Sequence, residues 1–179
     1  MTPGERLLPS PGLVPCNTPR AGLYNSPMRL SPNLSLSELT RSETAEERGI
    51  DNTPPPEIVE NLKRLAASLE MVQSLLGAPL EISSGYRCAA LNEAVGGSSS
   101  SQHMQGLAAD FACPAFGSAL EVADAIRRSG LEFDQCILEY GRWVHLSLSD
   151  APRRRLLTIY DDEKGYVAGL WDQEGRLIA

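Results

Sequence analysis

Ile58, Leu62, Leu65, Leu69, Val72 and Leu76 recur at helical spacing through a segment that prolines open at 54 to 56 and Gly77 closes. Proline is tolerated in a first helical turn, where its missing N–H is not needed, and glycine supplies the left-handed residue that ends a helix. The segment therefore predicts a long amphipathic helix with one apolar stripe to bury. A chain of 179 residues with 42% hydrophobic content can supply the core that covers such a stripe, as one domain of ordinary size with tails.

Shorter elements surround that helix. "LSLSELTRSETAEERG", residues 34–49, predicts a short helix or two, capped by Ser35 or Ser37 and stopped at Gly49. "PLEISSGYR" predicts a strand running into a turn, and "AALNEAVGG" a helical turn or two ending at Gly96 and Gly97. "LAADFAC" reads as a strand, "SALEVADAIRRSG" as a second amphipathic helix, and "QCILEYGRWVHLSLS" as two strands around a turn. "RRLLTIY" and "GYVAGLWDQEGRLIA" add short strands or an edge hairpin. Residues 1 to 32 hold seven prolines without a helical or strand period, and so read as an extended, poorly ordered arm. The resulting division is an arm at 1–32, a folded domain at 33–160 and a C-terminal edge hairpin or tail at 161–179.

Charge and cysteine content narrow the function. A formal net charge of -7 and a pI near 4.9 argue against a nucleic-acid backbone or an anionic lipid surface as the main partner. Cys16, Cys88, Cys113 and Cys136 form no CxxC pair, so free, mostly buried thiols are expected rather than a zinc knuckle or a disulfide scaffold. No run of about 18 apolar residues is present, so no membrane span is expected. Residues 1 to 22 have no basic segment followed by an apolar core, so no secretory leader is expected either.

The chain has only two histidines. His103 lies in "SQHMQGLAAD", a flexible segment flanked by glycine, with Asp110 in the strand that follows. His145 lies in "WVHLS", where Val144, Leu146 and Leu148 alternate with Trp143, His145 and Ser147, which sets His145 on the face opposite the aliphatic one. Either motif alone fits a hydrogen-bonded histidine or a turn-capping aspartate. Together, two imidazoles and a carboxylate form a ligand set that suits zinc and leaves a fourth position for water.

The pattern S-x-H-x-x-G-x-A-x-D, preceded by SGYR-x-x-x-LN and followed by W-V-H-x-S, resembles the zinc D-Ala-D-Ala carboxypeptidase family of bacterial and phage peptidoglycan peptidases. The resemblance runs from about Leu34 to about Tyr160, in the blocks "IDNTPPPEIVENLKRL", "SGYRCAALNEAVGG", "SSQHMQGLAADF" and "FDQCILEYGRWVHLS". It implies a small α+β fold of the D,D-peptidase/Hedgehog-like kind, an antiparallel sheet flanked by helices that carries one zinc ion on His103, Asp110 and His145. It further implies that Arg87 faces the substrate, holding a carboxylate or the oxyanion formed during hydrolysis. Ser101 and Gly106 would let the loop fold His103 over the strand bearing Asp110, with Ser101 on the substrate side. The implied substrate is a peptidoglycan stem peptide or cross-bridge. The implied protein is a monomer, made in the cytoplasm and released to the wall in the manner of a phage endolysin.

The general base is less directly marked. Some relatives place a glutamate three residues before the last histidine, where this chain has Arg142, and others a histidine two residues before it, where this chain has Trp143. Glu139 is the nearest acid. An odd-length turn at Tyr140-Gly141-Arg142 sets Glu139 opposite Trp143, on the face that carries His145. Asp134 is the reserve candidate. The departures at Arg142 and Trp143 also admit a second reading, a catalytically weak or inactive peptidoglycan-binding module on the same fold, and a third, a metal-free interaction protein.

Overall fold

The long helix forms where the apolar spacing places it. Helix α2, Pro56–Leu76, has proline at its start and ends at Gly77, whose φ is 65°. Leu62, Leu65, Leu69 and Val72 are fully buried along its stripe. The computed structural model describes residues 28–179, and the arm expected over 1–32 lies outside them as far as residue 27. The residues just beyond are attached to the domain: Arg29 bridges to Ser35, Leu30 packs on the core, and Ser31 Oγ donates to Glu70 of α2.

Six strands form one sheet: β1 (Glu81–Ser84), β2 (Ala108–Ala112), β3 (Gln135–Glu139), β4 (Trp143–Ser147), β5 (Arg155–Ile159) and β6 (Val167–Ala168). Their spatial order is β1-β2-β4-β3-β5-β6. With α1 (Glu43–Arg48), α2, α3 (Ala89–Ala94) and α4 (Ala119–Arg128), the architecture is α+β. The sheet is mixed rather than wholly antiparallel, because β5 runs parallel to β3. The reason is a contact across 19 residues of chain. Asp134, just before β3, receives a two-pronged hydrogen bond from Arg153, and its backbone carbonyl accepts from Arg155 N–H. The segment after β4 is thereby pinned beside the start of β3, and β5 leaves in the same direction.

Side-chain alternation gives the sheet two different faces. Phe111, Leu138, Val144 and Leu146 project to one side and are buried with Leu65 and Leu69 of α2 and Val122 and Ile126 of α4. Truncating one such side chain, Phe111→Ala, is expected to cost about 3–5 kcal/mol. The opposite face carries Asp110, His145, Glu139 and Trp143, which the strand registers align.

Near the N-terminus, α1 starts at Ser42, whose side chain accepts from Ala45 N–H, and not at Ser35 or Ser37. Ser35 and Glu38 do exchange cap-like hydrogen bonds. They close a single turn only, since Leu39 is fully buried and its carbonyl accepts from Tyr86 N–H. Gly49 ends α1 with φ 63°. At the other end of the chain, β6 pairs with β5, Trp171 bridges to Leu177, and Leu170 is fully buried in the core.

Cys88, Cys113 and Cys136 are free thiols; Cys16 lies outside the described residues. Complete burial pushes the Cys136 thiol up to about 12, which removes it from thiolate chemistry. Among the described residues no helix is long and apolar enough to cross a membrane.

Candidate metal centre and active site

His103 and His145 meet over Asp110. His145 Nδ1 lies 2.8 Å from Asp110 Oδ1, and His103 Nε2 lies 3.2 Å from the same oxygen and 3.1 Å from His145 Nδ1. One ligand atom from each residue falls within 4.8 Å of the others, so the trio can hold a metal ion. Asp110 and His145 are direct partners across β2 and β4, which fixes two of the three positions through backbone pairing.

His103 arrives from a loop, and its placement needs more support. It sits in a short 3₁₀ turn, Gln102–Gln105, capped by Ser101, whose Oγ accepts from His103 N–H. Gly106 closes the turn at φ 66°, and a Cβ there would come within 2.9 Å of Ile58 Cγ2, so both conformation and space require glycine. His103 Nδ1 is 2.6 Å from the carbonyl oxygen of Gly85. A carbonyl only accepts, so Nδ1 carries the proton and Nε2 turns a lone pair toward Asp110 and His145. Gly85 has its own constraint: a Cβ would stand 2.3 Å from the Leu39 carbonyl oxygen.

The chemistry of this donor set fits a cation. With its proton committed to Gly85, the Nε2 lone pair of His103 faces a carboxylate oxygen, two acceptors with no hydrogen between them. Burial pushes His103 below its usual pKa and so keeps it neutral. Burial acts to raise the Asp110 carboxyl, but the adjoining His103 and His145 rings outweigh it and hold it well below the usual carboxylate range. A neutral imidazole and an ionised carboxylate are the forms that coordinate metals.

Arg87 and Glu139 flank the trio. Arg87 Nη2 lies 3.7 Å from Asp110 Oδ2, while its Nε is buried without a hydrogen-bond partner. Glu139 pairs with Trp143 across a three-residue turn, and Trp143 Nε1–H donates to Glu139 Oε2 at 3.0 Å. Burial, then the Asp110 charge, pushes the Glu139 carboxyl above its ordinary pKa.

Asp134 stands apart from this group, at the other end of β3. Both of its oxygens are taken: Arg153 Nε and Nη2 donate at 2.7 and 2.5 Å, and Gln102 Nε2 at 3.1 Å. The Arg153 hydrogen bond holds it below the usual range despite burial. Through Gln102, which also donates to Leu148 O, Asp134 ties the turn carrying His103 to the sheet.

A model of the family described as Peptidase M15 matches residues 32–147, a span that includes His103, Asp110, His145, Arg87 and Glu139. The chain belongs to this family. M15 peptidases are zinc-dependent metallopeptidases, and the trio of His103, Asp110 and His145 gives this member a place to hold the ion. No curated protein matches the chain. The M15 match ends with β4, although Leu170, well beyond it, is fully buried in the same core.

Three supports of the site escaped the sequence reading. The Gly85 carbonyl that orients His103 carries no side-chain signal, although it lies within the "SGYR" block. Asn52 donates to the carbonyls of Thr40 and Tyr86 and accepts from Cys88 N–H, stapling the Arg87 loop to the N-terminal turn. It was visible only as one polar residue in "IDNTPPP". The third support is the Asp134–Gln102 contact, which joins residues remote in sequence.

Proposed function

We propose that the protein is a zinc-dependent peptidase that hydrolyses a peptide bond of peptidoglycan, as a D-alanyl-D-alanine carboxypeptidase or a cell-wall endopeptidase. The observation that carries this reading is the convergence of His103 Nε2, Asp110 Oδ1 and His145 Nδ1 beside a carboxylate, Glu139, with a raised pKa. His103, Asp110 and His145 would hold the zinc ion, which would supply Lewis acidity toward a carbonyl oxygen and lower the pKa of a water to about 7.

Glu139 is the general base. Trp143 fixes its Oε2, which leaves Oε1 to take a proton from the attacking water and return it to the leaving amine. Asp134 lacks that freedom, because Arg153 and Gln102 occupy both of its oxygens. Arg87 stabilises the charge that develops on the scissile carbonyl oxygen, from a guanidinium whose Nη2 the fold pairs only loosely, 3.7 Å from Asp110 Oδ2. Ser101 accepts from His103 N–H and keeps its own hydroxyl proton to donate to the substrate. The protein acts as a monomer, with residues 33–160 as the peptidase domain, the arm at 1–32 outside the chemistry, and 161–179 as an edge hairpin.

Mass spectrometry of defined muropeptides, digested with and without chelator, tests this reading. New fragments that disappear on chelation are expected, and their masses identify the bond that is cut. Intact muropeptides in the zinc-loaded sample would overturn it.

A further inference from the structure

Beside the candidate metal centre lies an open depression of about 460 Å³ whose lining includes Arg41, Ser42, Glu43, Ser83, Ser84 and Arg87. It adjoins the centre directly. Ser84 is the register partner of Asp110, Ser83 Oγ donates to the Asp110 backbone carbonyl at 3.1 Å, and Arg87 Nη2 approaches Asp110 Oδ2. Two guanidinium groups against the one carboxylate of Glu43 make this depression cationic, in a chain whose net charge is -7.

Among the described residues, neither arginine has a tight acidic partner. Among the described residues, Arg41 bonds only through its backbone N–H, to Ser37 O, and its exposed side chain has no acidic partner. Arg87 approaches Asp110 at 3.7 Å, too far for a tight pair, and keeps a buried Nε without an acceptor. Two positively charged forks facing a hollow beside an anionic ligand set are suited to planar, two-oxygen anions.

We infer that this depression is a carboxylate subsite of the proposed peptidase, in which Arg41 holds a free carboxylate of the peptide substrate and Arg87 remains for the scissile carbonyl. The inference rests on the peptidoglycan-peptidase reading. Arg87 adjoins both the ligand set and the depression, and one guanidinium cannot serve both groups at once. Arg41, in the same lining and with no contact to the ligand set, supplies the second cation, and the Ser84 hydroxyl is available as an added donor. A stem peptide offers two such groups, the α-carboxylate of its D-glutamyl residue and its C-terminal carboxylate.

The test compares the stem pentapeptide L-Ala-γ-D-Glu-L-Lys-D-Ala-D-Ala with two singly amidated forms, one at the D-glutamyl α-carboxylate and one at the C-terminus. Calorimetric titration of zinc-loaded Glu139→Gln protein reads affinity without turnover, and cleavage by the parent protein is measured in parallel. One amidation is expected to weaken binding about tenfold or more, and it identifies the carboxylate that is held. Adding Arg41→Gln should abolish that difference by weakening the non-amidated peptide alone, with zinc content and melting temperature unchanged. Equal affinity for all three peptides, no binding of any, or an amidation effect that survives Arg41→Gln would overturn the inference. If binding discriminates as expected but the parent cleaves no peptide, the subsite stands and the hydrolytic reading falls.

Discussion

Strand β3 is entered past Asp134 and left through Glu139, so two carboxylates sit at opposite ends of one short strand in contrasting surroundings. Asp134 accepts hydrogen bonds on both oxygens, chiefly from Arg153, and is held in its ionised form. Glu139 accepts one side-chain bond, from Trp143, and burial pushes its carboxyl the other way. A saturated carboxylate is a brace: it has no lone pair placed to receive a proton and every reason to stay charged. A buried carboxylate with a free oxygen beside the ligand set is placed to take up and return a proton. The residue type is nearly the same at the two ends, and the neighbours decide its use.

The comparison breaks most sharply under Glu139→Gln, which keeps the shape and removes the proton acceptor. Turnover on a muropeptide should fall by about a hundredfold to ten-thousandfold, with zinc content unchanged. Near-parental turnover would strip Glu139 of its role. The matching change at the other end, Asp134→Asn, should invert the pattern. Loss of the charged acceptor for Arg153 is expected to lower stability by about 1–3 kcal/mol, read by denaturant unfolding, while turnover per folded molecule stays within a few-fold of the parent. A large fall in turnover with intact stability would return Asp134 to candidacy as the base.

Acid titration of chelated protein sharpens the contrast with a smaller effect. The folded pKa of Asp134 is depressed, so its stabilising contribution is complete above the unfolded value of about 3.9 and is lost as pH falls through the folded value. Glu139 is raised, so its contribution is complete below the unfolded value of about 4.3 and is lost as pH rises through the folded one. Melting temperatures measured across this window should therefore show a shallower acid limb in Asp134→Asn, with Asp110 and the other depressed carboxylates supplying what remains. In Glu139→Gln they should lose the decline above about pH 4. Superimposable profiles for all three proteins would contradict both assignments.

Much of the site was legible because it depends on short-range rules. Two-residue alternation sets His145 on the polar face of β4, and the odd-length turn after β3 gives the observed Glu139–Trp143 pairing. The two ends of α2 follow from proline and glycine chemistry. What escaped depends on partners far apart in the chain. The parallel direction of β5 follows from Arg153 reaching back to Asp134, and the orientation of His103 follows from the Gly85 carbonyl. Ser35 shows the opposite failure: its cap-like bonds with Glu38 form, yet the Leu39 carbonyl is taken by Tyr86 N–H and no helix follows.

The central claim is that the chain's two histidines and Asp110 together hold one zinc ion, and metal analysis tests it most directly. Protein purified without added metal, compared with His103→Ala and His145→Ala prepared in the same way, should contain close to one zinc per chain in the parent and almost none in either variant. Full zinc occupancy in both variants would contradict the account.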